Sequence, residues 1–161
     1  MIFVDNCILS SLSKIGMIHL LKNFREISTT AGVVEEILRS DRSEIIDPIS
    51  SSFNKWLKIH SCSDYQRILE IQRENSALSI VDSELIILCL DNEAVLLSDD
   101  TKLLSIAEEK FGVTTFDLCD MIISLKNKEK LDRDEIERII IDLERKDRYR
   151  FSRSSLRLLR S

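Results

Sequence analysis

The chain has 161 residues, enough for one domain that buries roughly 68–70% of its unfolded surface and folds without disulfide or metal. With 43% apolar residues, 32% charged residues, 3 Gly and 1 Pro, it excludes a disordered or collagen-like chain and favours helix. The net charge of −5 excludes a basic coat over the whole surface.

In chain order, apolar runs of strand length alternate with amphipathic segments of helix length, the pattern of βαβ units around a parallel sheet. Ile2–Asp5 reads as a short buried strand. Ile8–Ile15 and Met17–Phe24 carry apolar residues at helical spacing, broken at Gly16. Glu26–Thr29 reads as a second strand. Thr30 is placed to cap a helix over Ala31–Arg39, with Val33, Val34, Ile37 and Leu38 on its apolar face. Ser40–Asp47 is polar and stops at Pro48, which predicts a loop. Ile49–Leu57 and Asp64–Arg73 read as helices, with a strand over Lys58–Cys62 between them.

From Ala77 the local signals sharpen. Ser79 with Asp82 three residues on forms a capping box before a helix through Leu90. Ala94–Leu97 is a strand and Thr101–Phe111 a helix stopped by Gly112. Val113–Phe116 is a strand, Asp117 opens a helix to about Lys126, and Asp132–Lys146 is an amphipathic helix burying Ile136, Ile139, Ile140 and Leu143. The last segment is different: Arg145–Arg160 holds seven Lys/Arg and one acid, Asp147. It reads either as a terminal helix with solvated arginines around a Leu stripe or as a clamp on RNA.

Cys7, Cys62, Cys89 and Cys119 form no CxxC pair, and His19 and His60 fit no zinc spacing, so free thiols in a reducing compartment are expected. Met1–Val4 runs straight into a strand without a basic n-region. No apolar run approaches the roughly 20 residues of a membrane span. A cytoplasmic protein without signal peptide or membrane segment is the expectation. Trp56 and His60 sit among apolar neighbours and read as packing residues.

Acids stand where apolar strands end. Asp5 and Asn6 close the first strand; Ser98, Asp99 and Asp100 close the strand at Ala94–Leu97. Open parallel sheets bind ligands at the carboxyl ends of their strands. Asp82 and Glu84 lie in the first turns of the helix before that second strand, and Glu36 lies on a helix that follows another. Hard divalent cations take oxygen ligands, and clustered carboxylates repel one another unless a cation or a proton joins them. The same acids also read as caps: Asp5 and Asp100 for the helices that follow, Asp82 as a favourable first-turn acid, Glu36 as an exposed helix residue.

Four segments taken together resemble the motifs of PIN-domain nucleases. Ile2-Phe3-Val4-Asp5-Asn6 is similar to the opening strand and acid. Val33-Val34-Glu35-Glu36-Ile37 is similar to the second, helical motif; Glu35 and Glu36 both stand there, and Glu36 is preferred because it directly precedes Ile37. Leu78-Ser79-Ile80-Val81-Asp82-Ser83-Glu84 resembles the third, and Leu96-Leu97-Ser98-Asp99-Asp100 the fourth. The resemblance runs over residues 1–125, with 132–161 a helical and basic C-terminal segment of one PIN-like domain spanning 1–161.

It implies a three-layer α/β/α fold with a central parallel sheet. It also implies a ribonuclease in which Asp5, Glu36, Asp82 and Asp100 are catalytic and hold Mg²⁺ or Mn²⁺. Asn6 and Ser98 would then be polar supports, and Asp99 and Glu84 further candidate ligands. RNA would be the substrate, with an antitoxin protein and a homodimer as implied partners. Two other readings stand beside it. One is a PIN-like module that binds RNA or protein without cleaving. The other is a phosphoacceptor receiver domain, disfavoured because Asp5-Asn6 replaces an acidic pair and Asp117, not Lys, follows Val113–Phe116.

Overall fold

The computed structural model describes residues 1–161. Five strands, β1 (Ile2–Val4), β2 (Ile27–Thr30), β3 (Leu57–His60), β4 (Val95–Leu97) and β5 (Thr115–Phe116), form one parallel sheet in the order β3-β2-β1-β4-β5. Phe3 stands opposite Ser28 on one side and Leu96 on the other, and Leu97 stands opposite Phe116. The helices are α1 (Asn6–Lys14), α2 (Ala31–Leu38), α3 (Ser43–Ser50), α4 (Tyr65–Glu74), α5 (Ile80–Asp91), α6 (Thr101–Phe111), α7 (Leu118–Asn127), α8 (Arg133–Asp142) and α9 (Arg153–Arg160).

The strand order reverses direction at β1. Crossovers between parallel strands are right-handed, so the connections that build outward through β2 and β3 cover one face, and those leading to β4 and β5 cover the other. The result is the three-layer α/β/α arrangement expected from the sequence. A receiver has a different order, 2-1-3-4-5, which removes that reading. In open sheets of this kind ligands bind where the order reverses, which here is the carboxyl ends of β1 and β4, the two strands that lead into Asp5 and Ser98.

Phe3, Val4, Leu96 and Leu97 fill the middle of the sheet and are all but completely buried. Helix α5 lies across β1, β2 and β4 and packs against α2, α4 and α6, which explains why it has no polar face along Leu85–Cys89. Each such buried side chain stabilises the fold by about 1.5–3 kcal/mol.

Local capping chemistry sets most boundaries. Thr30 Oγ1 accepts from the Val33 amide at 3.1 Å, Ser79 and Asp82 close a reciprocal capping box, and Gly112 ends α6 at φ +68°. Asp117 and Asp132 form two more such boxes at α7 and α8.

Five expectations need correction. The stretch read as a loop up to Pro48 contains α3, with Pro48 inside it. Ile45 and Ile49, one turn apart, are both buried, and the Ser13 hydroxyl donates to the Ile45 carbonyl at 2.8 Å, which outweighs the one amide that Pro48 lacks. The helix read over 49–57 stops at Ser50. Asn54 takes φ +56° and its amide bonds the Leu57 carbonyl at 3.0 Å, turning the chain into β3 one residue early. On α2 only Val33 and Ile37 are buried, while Leu38 is 55% exposed. The helix from Asp132 ends at Asp142 and continues as a π-helical turn, Leu143–Asp147, closed by Arg148 at φ +55°. The segment read as helical over Met17–Phe24 is a 3₁₀ turn, Ile18–Asn23.

Candidate metal centre

Asp5 follows β1 and caps α1: its Oδ1 accepts from the Asn6 amide at 2.6 Å. Its Oδ2 accepts from the Ser98 hydroxyl at 2.8 Å and from the Cys7 thiol at 3.2 Å. Ser98 is wholly buried at the end of β4 and its Oγ in turn accepts from the Asp100 amide at 3.1 Å. One hydroxyl thus ties the ends of the two central strands together. Cys7, to which the sequence assigned no role, is woven into the same wall. Its Sγ also accepts from the Asp99 amide at 3.2 Å, and burial with Asp5 alongside pushes its thiol up to about 12. It stays a protonated spacer and not a nucleophile. Its position two residues past Asp5 was the only signal.

Glu36 reaches this edge from α2, where Asn6 Nδ2 donates to its Oε2 at 3.4 Å. Glu35 points elsewhere, pairing with Arg39 at 3.6 Å in the open. Asp82 stands at the start of α5 with Oδ2 accepting from the Ser79 amide at 2.7 Å. Asp100 is exposed and its Oδ1 accepts from the Lys102 and Leu103 amides at 2.9 and 3.1 Å. Capping therefore engages one oxygen each of Asp82 and Asp100, and leaves Asp82 Oδ1, Asp100 Oδ2 and Glu36 Oε1 without a protein partner.

Electrostatics couples the first three acids. Burial raises the Asp5 carboxyl above its usual range, hydrogen bonds from Ser98, Cys7 and Asn6 pull it back, and the Asp82 charge pushes it up again. Glu36 is raised by burial and then by the charges of Asp5 and Asp82, with Arg39 a small opposing influence. No Lys or Arg forms an ion pair with Asp5, Glu36 or Asp82.

Two candidate residues lie apart from this group. Both oxygens of Glu84 are used by backbone: Oε1 accepts from the Cys62 amide at 3.1 Å and Oε2 from the Gly32 amide at 3.3 Å. The side chain latches α5 to α2 and to the loop after β3. Asp99 turns the other way, its Oδ1 accepting from the Leu118 amide at 3.1 Å and the Tyr149 hydroxyl at 3.2 Å. Burial, with Asp117 and Asp147 nearby, raises it to about 6.

The donor set suits a hard divalent cation: oxygen ligands only, negative charge without ion-paired cations, and a position at the switch in strand order. As the side chains stand, no three His, Cys, Asp or Glu groups converge closely enough to grip an ion. Glu36 and Asp82 are half-buried, and each keeps one oxygen without a protein partner.

A family profile described as a PIN domain matches residues 1–160. The chain belongs to the PIN-domain family. PIN domains are generally nucleases and typically use divalent metals, so this fold is a nuclease-type module suited to nucleic acid. Searches of curated proteins and of solved structures return no match. No helix of this PIN domain is long and apolar enough to cross a membrane.

Proposed function

We propose that this PIN domain is a divalent-metal-dependent ribonuclease whose catalytic centre is Asp5, Glu36, Asp82 and Asp100. The observation that carries the reading is the mutually repelling set Asp5–Glu36–Asp82, none of it ion-paired to Lys or Arg, at the carboxyl edge where the strand order reverses. Bound Mg²⁺ or Mn²⁺ would lower the pKa of a water and stabilise charge on the phosphoryl group. Asp5 anchors the set, held in one rotamer by the Asn6 amide, the Ser98 hydroxyl and the Cys7 thiol. Ser98 and Asn6 position Asp5 and Glu36, and Asp100 offers its uncapped oxygen from the adjacent strand end.

A second reading, a PIN-like module that binds RNA or protein without cleaving, draws on the lack of any three converged ligands. One measurement separates the two. A ligand that binds only the folded state raises stability by RT ln(1 + [L]/Kd). Mn²⁺ is expected to raise the melting temperature of wild type and not that of Asp5→Asn/Asp82→Asn, with RNA cleavage lost in the variant. Equal shifts, or none, in both proteins would remove the metal site.

Membership of a toxin–antitoxin pair, or of a homodimer, is part of the same proposal. Leu38 and Ile80, 55% and 43% exposed on the two helices that carry Glu36 and Asp82, support a partner there. Light scattering with Leu38→Lys/Ile80→Lys tests the dimer: a wild-type mass unchanged in the variant excludes this contact.

A further inference from the structure

A cavity lies at the opposite pole of the sheet from the carboxylates. Where β2 and β3 begin, a pocket of about 510 Å³ is walled by Lys22, Arg25, Lys55 and Lys58 around the rings of Phe24 and Trp56. Glu26 is the single acid in its wall and reaches Lys58 only at 3.9 Å. Lys22, Arg25 and Lys55 pair with no carboxylate at all. In a chain of net charge −5 this is a local concentration of unneutralised positive charge inside a concave site.

The aromatic walls are held in place. Trp56 sits in the turn whose Asn54 amide bonds the Leu57 carbonyl at 3.0 Å and whose Leu57 amide bonds the Ser52 carbonyl at 3.2 Å. Lys22 Nζ lies 5.7 Å from the Trp56 ring centroid, and Lys128 Nζ lies 4.9 Å from that of Phe24. Contact with a ring accounts for Lys128, and only in part for Lys22, whose charge has no anionic partner. It does not account for Arg25 and Lys55, which cover neither ring and have no partner. Cations that want anionic oxygens, next to rings that offer stacking area, describe the two halves of a nucleotide, and the volume lies within the range of small-molecule sites.

We infer that this cavity binds a nucleotide, its phosphates on Lys22, Arg25 and Lys55 and its base against Trp56 and Phe24. The ligand is either a free nucleotide or one nucleotide of an RNA strand, since both present the same chemistry. The inference does not depend on the carboxylate site, which lies at the other end of the strands.

Trp56 is the only tryptophan, so its fluorescence reports the cavity alone. The full chain in EDTA, which keeps metal from the carboxylates, is titrated with ATP, with inorganic triphosphate and with a short 5′-phosphorylated oligoadenylate. ATP or the oligonucleotide is expected to give a saturable change, weakened on the order of tenfold or more in Lys22→Glu/Lys55→Glu. Both lysines are exposed, and an unchanged melting temperature confirms that the variant folds. Asp5→Asn/Asp82→Asn is expected to bind like wild type, which keeps this result separate from the fate of the nuclease reading. A response to the oligonucleotide alone assigns the cavity to an RNA strand, and a response to ATP assigns it to free nucleotides. No saturable change with any probe, equal affinity in the lysine variant, or triphosphate binding as tightly as ATP overturns the inference.

Discussion

The Tyr149 hydroxyl donates to Asp99 Oδ1 at 3.2 Å, tying the segment after α8 to the end of β4, next to Ser98 and Asp100. The tie is braced on both sides. Tyr149 packs on Phe151 with ring centroids 4.6 Å apart, and the Tyr149 amide bonds the Leu143 carbonyl at 3.1 Å. Two residues earlier, Asp147 accepts from Ser11 Oγ at 2.5 Å and pairs with Lys14, both on α1. The π-helical turn and its left-handed Arg148 are what aim these side chains at two different elements.

Tyr149→Phe removes the hydroxyl and little else. The hydrogen bond goes to an acid, so its loss is expected to cost about 1.5–3 kcal/mol. Urea unfolding should show a lower midpoint with an unchanged slope. A midpoint equal to wild type would mean that the aromatic packing alone holds this segment.

Asp99 is raised from 3.8 to about 6, chiefly by burial. Between those values the folded chain binds more protons than the unfolded chain, so stability falls as pH rises from about 4 through 6. The charged form at neutral pH costs at most about 3 kcal/mol. Asp99→Asn keeps an acceptor for the Leu118 amide and the Tyr149 hydroxyl. In EDTA it is expected to stabilise the protein at pH 7 and to change little at pH 4. A stability difference that is the same at both values would locate the penalty elsewhere.

Gly32, the second residue of α2, faces Glu84. A Cβ there would lie 2.9 Å from Glu84 Oε2 and 3.0 Å from Val81 Cγ2. Alanine gains about 1 kcal/mol of helix propensity, yet it presses on a carboxylate whose two oxygens are both fixed by backbone amides. Overpacking of this kind costs about 1–3 kcal/mol, so Gly32→Ala is expected to destabilise by about 1 kcal/mol net. Glu84→Gln, which turns an amide group toward a backbone N–H, is expected to cost more. Chemical denaturation checks both, and a stabilised Gly32→Ala would show that the latch is slack.

Local chemistry was legible in the sequence and distant chemistry was not. Thr30, the Ser79/Asp82 box and Gly112 announce their helix ends because their partners lie within four residues. Asp5 and Ser98 could be assigned to one edge because each directly follows an apolar strand. What a glutamate on α5 would bond was not readable: Glu84 meets Gly32 and Cys62, fifty-two and twenty-two residues away. The same holds for Asp99, whose partner Tyr149 lies in a turn that only the packing of Leu143 and Asp147 defines. Pro48 misled because a rule about one amide was applied where two buried isoleucines decide.

Those long-range ties also dictate how the basic end of the chain must be tested. Deleting it from Asp147 onward would remove the pair with Lys14, the bond to Asp99 and the buried Leu159, and so would damage the fold as well as the charge. Arg160 pairs with Glu137 at 2.7 Å and Lys146 with Asp142 at 3.2 Å, but Arg148, Arg150, Arg153 and Arg157 are exposed and unpaired. Changing those four to Gln leaves the bonds of Asp147 and Tyr149 and the packing of Leu159 in place. If they hold RNA, as the reading of this segment as a clamp expects, affinity is expected to fall. The slope of log K against log salt should then drop by about 0.7 for each phosphate of a single strand that an arginine no longer neutralises. Filter binding on an Asp5→Asn background, where no cleavage interferes, reads the slope directly. A slope equal to that of the parent returns these arginines to the role of a solvated helix face.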